Sequence, residues 1–110
     1  MSGSFPEHTD GGKSNRSKKI RTQEVEDLFE AILTLKDKEE CFHFFEDLCT
    51  TNEILSFGQR FQVARMLDKR CTYQDIAEKS GASTATISRV KRSIDDGSGG
   101  YRLVFDRLDY

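Results

Sequence analysis

The chain is predicted to be all-α, on three observations. Apolar residues recur at three- and four-residue intervals in successive segments, capping residues stand at the starts of several of those segments, and Thr72–Val90 carries the spacing of a helix-turn-helix.

The first nineteen residues, 1–19, are rich in Gly, Ser and charge and have no apolar period, so they are expected to be a disordered tail. Lys13, Arg16, Lys18, Lys19 and Arg21 would make it a basic arm able to touch phosphates, or simply a solvated one. Residues 20–96 are expected to form the helical body. From Thr22 onward, Val25, Leu28, Phe29, Ile32, Leu33 and Leu35 predict one amphipathic helix. Lys36-Asp37 interrupts the repeat, and Asp37 with Glu40 reads as a capping pair for a second helix bearing Cys41, Phe44, Phe45 and Leu48 on its apolar face. Phe42 makes that helix unusually aromatic.

A third, longer helix is expected from Thr50 or Thr51 to about Lys69. Ile54, Leu55, Phe57, Phe61, Val63, Ala64, Met66 and Leu67 wrap a wide arc around it, which predicts a central position. Gly58 inside it marks either a close helix crossing or a tolerated surface glycine. Thr72 caps the next helix, with Asp75 three residues on. Ser83 or Thr84 caps the one after, which should end near Asp95-Asp96-Gly97. Residues 97–110 then read as a glycine-rich link and a short helix with Tyr101, Val104, Phe105 and Leu108 at i, i+3, i+4, i+7.

The helix-turn-helix is the most specific pattern. Ala77 is small where a second helix must cross closely, and Gly81 sits where the turn requires a positive φ. Ile87 and Val90 are expected to pack against Ile76 and Ala82, which makes Ile76, Ala77, Gly81, Ala82, Ile87 and Val90 its core. That leaves Thr84, Ala85, Ser88 and Arg89 outward on the second helix, with sizes and polarities suited to base edges and phosphates. The full candidate DNA-binding set is Gln74, Ser83, Thr84, Ala85, Thr86, Ser88, Arg89, Lys91 and Arg92. Arg60, Arg65, Lys69 and Arg70 add positive charge near the start of this module, with no period that says which of them face DNA.

The formal net charge of −2 conceals a partition. Thr22–Glu53 holds ten acidic and two basic residues, whereas Gln59–Arg92 holds eight basic and three acidic. A basic module supplies the sequence-independent phosphate attraction of DNA binding, and an acidic half must face away from DNA or bind something else. At 110 residues with 35% apolar content, a partner that completes the core is physically plausible. Cys41, Cys49 and Cys71 are odd in number and lack metal-site spacing, and the Cys41-x-His43 pair has no matching partners. No metal or other cofactor is expected. No stretch reads as a signal peptide or membrane span, so a reducing, cytoplasmic setting is expected, with no membrane partner. The carboxylates form no recognisable catalytic arrangement, and the chain is expected not to be an enzyme.

Gly81-Ala82-Ser83-Thr84-Ala85-Thr86-Ile87-Ser88-Arg89, preceded by Met66-Leu67 and Thr72-Tyr73-Gln74-Asp75-Ile76, resembles the reading head of the bacterial tryptophan-repressor superfamily. The stretch from about Val25 to Arg92 resembles small Trp-repressor-related proteins of Gram-positive bacteria, including Leu48-Cys49-Thr50-Thr51-Asn52-Glu53-Ile54 and Gln59-Arg60-Phe61. The resemblance implies an intertwined all-helical homodimer, with the N-terminal helices of both subunits in one core and two reading heads projecting from it. It implies base-facing positions at Thr84, Ala85 and Ser88, a contact from Gln74 and a phosphate contact at Thr86. The possible effector-binding residues are Gln59, Arg60 and Arg89. Of the two arginines that flank the corepressor in the tryptophan repressor, one corresponds to Arg89 and the other falls at Gln59, with Arg60 one position along. A glycine beside the corepressor's indole corresponds to Val90. Both departures oppose tryptophan in that pose, so the effector stays unassigned. The function implied is a sequence-specific transcriptional regulator, a repressor that binds double-stranded palindromic operator DNA as a homodimer. The alternative is an adaptor whose acidic helical half binds protein, with weak DNA attachment.

Overall fold

A computed structural model of the chain describes residues 18–108, which are helical with no strand among them. The expectation for the tail up to residue 17 lies outside the described residues. Lys18 and Lys19, read from sequence as the end of that unstructured tail, are instead helical together with Ile20. Six further helices follow: α1 Gln23–Ile32, α2 Lys38–Leu48, α3 Thr51–Asp68, α4 Tyr73–Ser80, α5 Thr84–Asp96 and α6 Gly100–Leu108. The chain forms two compact units, one ending at Phe45 and the other beginning at Glu46.

In the first unit, the Thr22 side chain caps α1 by accepting the Val25 N–H at 3.3 Å, and Glu24 and Glu26 sit favourably in its first turn. The helix stops sooner than its apolar repeat. Thr34 returns both its N–H, at 3.1 Å, and its hydroxyl, at 2.6 Å, to the Ala31 carbonyl, which closes a turn instead of another helical step. Leu33 and Leu35, predicted to continue the helix, therefore lie beyond it, and Leu33 is 83% exposed. Asp37 caps α2 as expected, accepting the Glu40 N–H at 2.9 Å, while the Glu40 carboxylate accepts from the Lys36 N–H at 2.9 Å. Phe44 and Phe45 meet edge to face with centroids 5.7 Å apart. They are half-buried, whereas Cys41 and Leu48 on the predicted apolar face are exposed. Neither α1 nor α2 holds a fully buried residue.

The second unit holds the core. Thr50 and Glu53 form a complete capping box at the start of α3, with bonds of 3.1 and 2.8 Å. At the other end, the Cys71 N–H reaches the Met66 carbonyl and the Arg70 N–H the Leu67 carbonyl, each at 3.0 Å. That is a Schellman closure, and its left-handed residue is Arg70 at φ 66°, where glycine would be easier. Val63 and Ala64 of α3 are fully buried with Ile76, Ala82, Ile87, Val90 and Phe105. Gly58 is exposed with open space at its Cβ position, so within this chain it is a surface glycine and not a crossing point.

The short C-terminal helix contributes more than its sequence suggested. Phe105 of α6 is 2% exposed and lies against Phe61, centroids 5.6 Å apart, and Tyr101, 6.0 Å apart. Val104 and Leu108, expected on the same packed face, are exposed. Arg102 ties α6 to α3 through an ion pair with Asp68 and also meets Asp106 of its own helix at 3.4 Å. Both carboxylates, Asp68 foremost, raise the guanidinium's pKa above its ordinary value.

Candidate nucleic-acid interface

The helix-turn-helix forms for local reasons, with Gly81 exposed at its turn and not in the core that the sequence assigned it to, because its part is a backbone angle and it has no side chain to bury. The Thr72 hydroxyl accepts the Asp75 N–H at 3.1 Å and starts α4, and Asp75 adds a favourable charge to its first turn. α4 ends at Gly81, whose φ of 73° turns the chain while its N–H bonds the Ala77 carbonyl at 2.9 Å. Ser80 locks the same turn: its hydroxyl donates to the Ile76 carbonyl at 2.6 Å and accepts the Ala82 N–H at 3.1 Å. Of the two candidate caps for α5 it is Ser83 that serves, accepting the Thr86 N–H at 3.1 Å. α5 packs on both α3 and α4. It stops at Gly97, where any Cβ would collide with the Ser93 carbonyl oxygen, so a side chain there is excluded by space.

The two faces of α5 are chemically opposite. Ile87 and Val90 are buried with Ile76 and Ala82, which leaves Thr84, Ala85, Arg89, Lys91 and Arg92 exposed, with Thr86 and Ser88 half-buried beside them. Gln74 is exposed in the first turn of α4. Ala77, half-buried, packs against the core. Ser83 and Thr86 are joined as well as capped, since the Ser83 hydroxyl donates to Thr86 Oγ1 at 3.1 Å. Lys91 is held by Asp95 at 2.7 Å one turn along, and this hydrogen bond and charge raise the ammonium's pKa above its ordinary value of 10.5.

The three possible effector-binding residues do not converge through any contact among the described residues. The Gln59 amide donates to the Ser80 carbonyl at 3.1 Å, Arg60 lies 5.5 Å over the Phe57 ring, and Arg89 is exposed on α5. Val90 is buried in the core. Around the helix-turn-helix, the Gln59–Ser80 bond, the Lys91–Asp95 pair and the Arg70 turn lay outside the sequence reading. Of these, the Lys91–Asp95 pair had a visible signal, the i, i+4 spacing of opposite charges. Among the described residues no group of three or more His, Cys, Asp and Glu is placed to hold a metal ion, and no helix is long and apolar enough to cross a membrane.

Two short helices joined through a left-handed glycine, set on a longer helix with the second presenting a polar outer face, define a helix-turn-helix protein. The chain belongs to the Trp repressor protein family, whose match spans residues 23–109. It is 54% identical over 90 residues to the uncharacterised protein YerC of Bacillus subtilis (strain 168), covering 82% of this chain and 86% of that one. A crystal structure of a TrpR-like protein from Eubacterium eligens ATCC 27750 superposes with a TM-score of 0.82 at 63% identity, covering 84% of this chain and 95% of the other. A crystal structure from Staphylococcus aureus, described as that of a candidate Trp repressor, gives a TM-score of 0.81 at 53% identity, over 84% of this chain and 92% of its own.

Proposed function

We propose that the protein is a sequence-specific transcriptional regulator, a cytoplasmic repressor that occupies palindromic operator DNA as a homodimer. The observation that carries this reading is the division of α5, with Ile87 and Val90 buried while Thr84, Ala85 and Arg89 face outward. A helix so divided can enter the major groove with its N-terminal half against base edges. In that pose Thr84 and Ala85 meet thymine methyl groups and Ser88 a base or bridging water. Thr86, Arg89 and Arg92 take phosphates, and Lys91 joins them by exchanging Asp95 for a phosphate oxygen. Ser83 orders the helix start and Gln74 reaches the duplex from α4.

The homodimer is supported by what the first unit leaves uncovered. Phe29 (52%), Leu33 and Phe42 (53%) are exposed, and α1 and α2 bury no residue completely. Helices of ten and eleven residues are marginal in water without a packed face, so a second copy that covers these side chains accounts for both facts. Two heads related by a two-fold axis favour half-sites on the same side of the duplex. Tryptophan is not the effector in this reading, because Val90 is packed into the core and Arg60 is turned to Phe57.

The test is selection of bound duplexes from a random pool by the purified protein, with its mass in solution measured alongside. An inverted repeat bound by a dimer is the expected result. Recovery of no sequence above non-specific binding would overturn the reading and favour a protein-binding adaptor that uses the acidic half.

A further inference from the structure

We propose that Gln59 is a positioning residue that fixes the tilt of the two reading helices on α3, so that specific DNA binding requires no small molecule to set it. This rests on the DNA-binding reading above and concerns how its site is regulated. Ser80 is the last residue of α4, and its carbonyl is one of the four that a helix leaves without an internal partner. The half-buried Gln59 side chain supplies that partner from α3, across 21 residues of sequence, at 3.1 Å. The remaining bonds at the turn are internal to it: Ser80 to Ile76, Ala82 to Ser80 and Gly81 to Ala77. They shape the angle between α4 and α5, but they do not orient the pair on α3.

That orientation has an apolar and a polar part. Ala64 of α3 is buried with Ile76, Ala82, Ile87 and Val90, and contacts of this kind are non-directional and tolerate small rotations. The Gln59 bond is directional, weakening steeply as its angle departs from linear, so rocking of the head about α3 breaks it first. The bond also lies beside the turn that joins α4 to α5. A Cβ added at Gly81 would stand 4.0 Å from Gln59 Nε2, in ordinary van der Waals contact. A head held in one posture before it meets DNA gives up less freedom on binding, so the bond supplies pre-organisation from within the chain.

The test compares the full-length protein with Gln59→Met, which keeps the shape without a polar group, and Gln59→Lys, which restores an N–H donor of similar reach. In DNA-free protein, Gln59→Met should accelerate amide exchange at Gly81 and Ala82, and Gln59→Lys should restore the protection. Affinity of Gln59→Met for the duplex recovered by selection should fall roughly two- to tenfold, the scale of one net hydrogen bond, with unchanged affinity for a scrambled duplex of equal length. Wild-type protein refolded from urea and freed of small molecules should bind the selected duplex as tightly as protein never denatured. Unaltered exchange in Gln59→Met would overturn the positioning role, as would equal loss on both duplexes. Loss of binding after refolding, recovered by adding back the small-molecule fraction, would overturn effector independence. A wild-type protein that does not distinguish the two duplexes would refute the DNA reading instead, and the exchange comparison would still decide the role of Gln59.

Discussion

Replacing Phe105 by alanine tests whether the C-terminal helix is part of the reading head's core. The ring is 2% exposed and packs between Phe61 and Tyr101, against a cluster that includes Ile87 and Val90 of α5. Truncating a fully buried phenylalanine costs about 3–5 kcal/mol, part of it from the cavity left behind. Phe61 and Tyr101 are only half-buried and free to close partly over the gap, so the lower end, about 3 kcal/mol, is expected here. With a urea m-value of about 1.5 kcal/mol/M, the midpoint should fall by about 2 M. The assay is urea denaturation followed by circular dichroism at one fixed protomer concentration, because association adds to apparent stability. Arg107→Ala, an exposed position on the same helix, should shift the midpoint little. A Phe105→Ala loss below about 1 kcal/mol, or one no larger than that of Arg107→Ala, would refute the placement of this helix in the core.

The remaining predictions concern α5. Arg89→Ala should weaken binding to all duplexes alike and lower the salt dependence by about one counterion; unchanged affinity and slope would exclude a phosphate role. Asp95→Asn should release Lys91 toward phosphate and steepen the salt dependence by about one, read by titration at several salt concentrations. The same variant carries a pH signature: Asp95 raises the Lys91 pKa above 10.5, so the pair's contribution is complete below the ordinary lysine value and lost as pH rises through the higher folded value. An NMR titration of the Lys91 ammonium should give a midpoint above 10.5 that drops toward it in Asp95→Asn. Ser83→Ala should cost about 1 kcal/mol in urea denaturation by removing the α5 cap, and Ser83→Gly only a few tenths, with equal losses counting against capping as the cause.

What could be read from the chain was what is encoded within a few residues. Thr72, Ser83 and Gly81 declare the ends of α4 and α5 because caps and left-handed turns are local chemistry. Apolar spacing placed Ile76, Ile87 and Val90 on one side for the same reason. The same spacing overran α1, since periodicity is blind to a hydroxyl such as that of Thr34, whose bond to Ala31 competes with the next helical step. Arg70 was missed because a positive φ is ordinarily announced by glycine. Phe105 reaching Phe61, and Gln59 reaching Ser80, join positions far apart in sequence, which no local pattern records. Within the candidate site, the module was legible as a unit. The engagement of Lys91 by Asp95 required side-chain direction as well as spacing.

The first unit, which buries no helix residue completely within its own chain, has a consequence for dosage. If a second copy supplies the missing cover, assembly and the ordering of α1 and α2 are one event, and both follow protomer concentration. At protomer concentrations well below the dissociation constant, the population of two-headed species grows as the square of the amount of protein made. Operator occupancy would then climb more steeply than expression itself. A threshold of this kind lets the rate of synthesis act as the input signal.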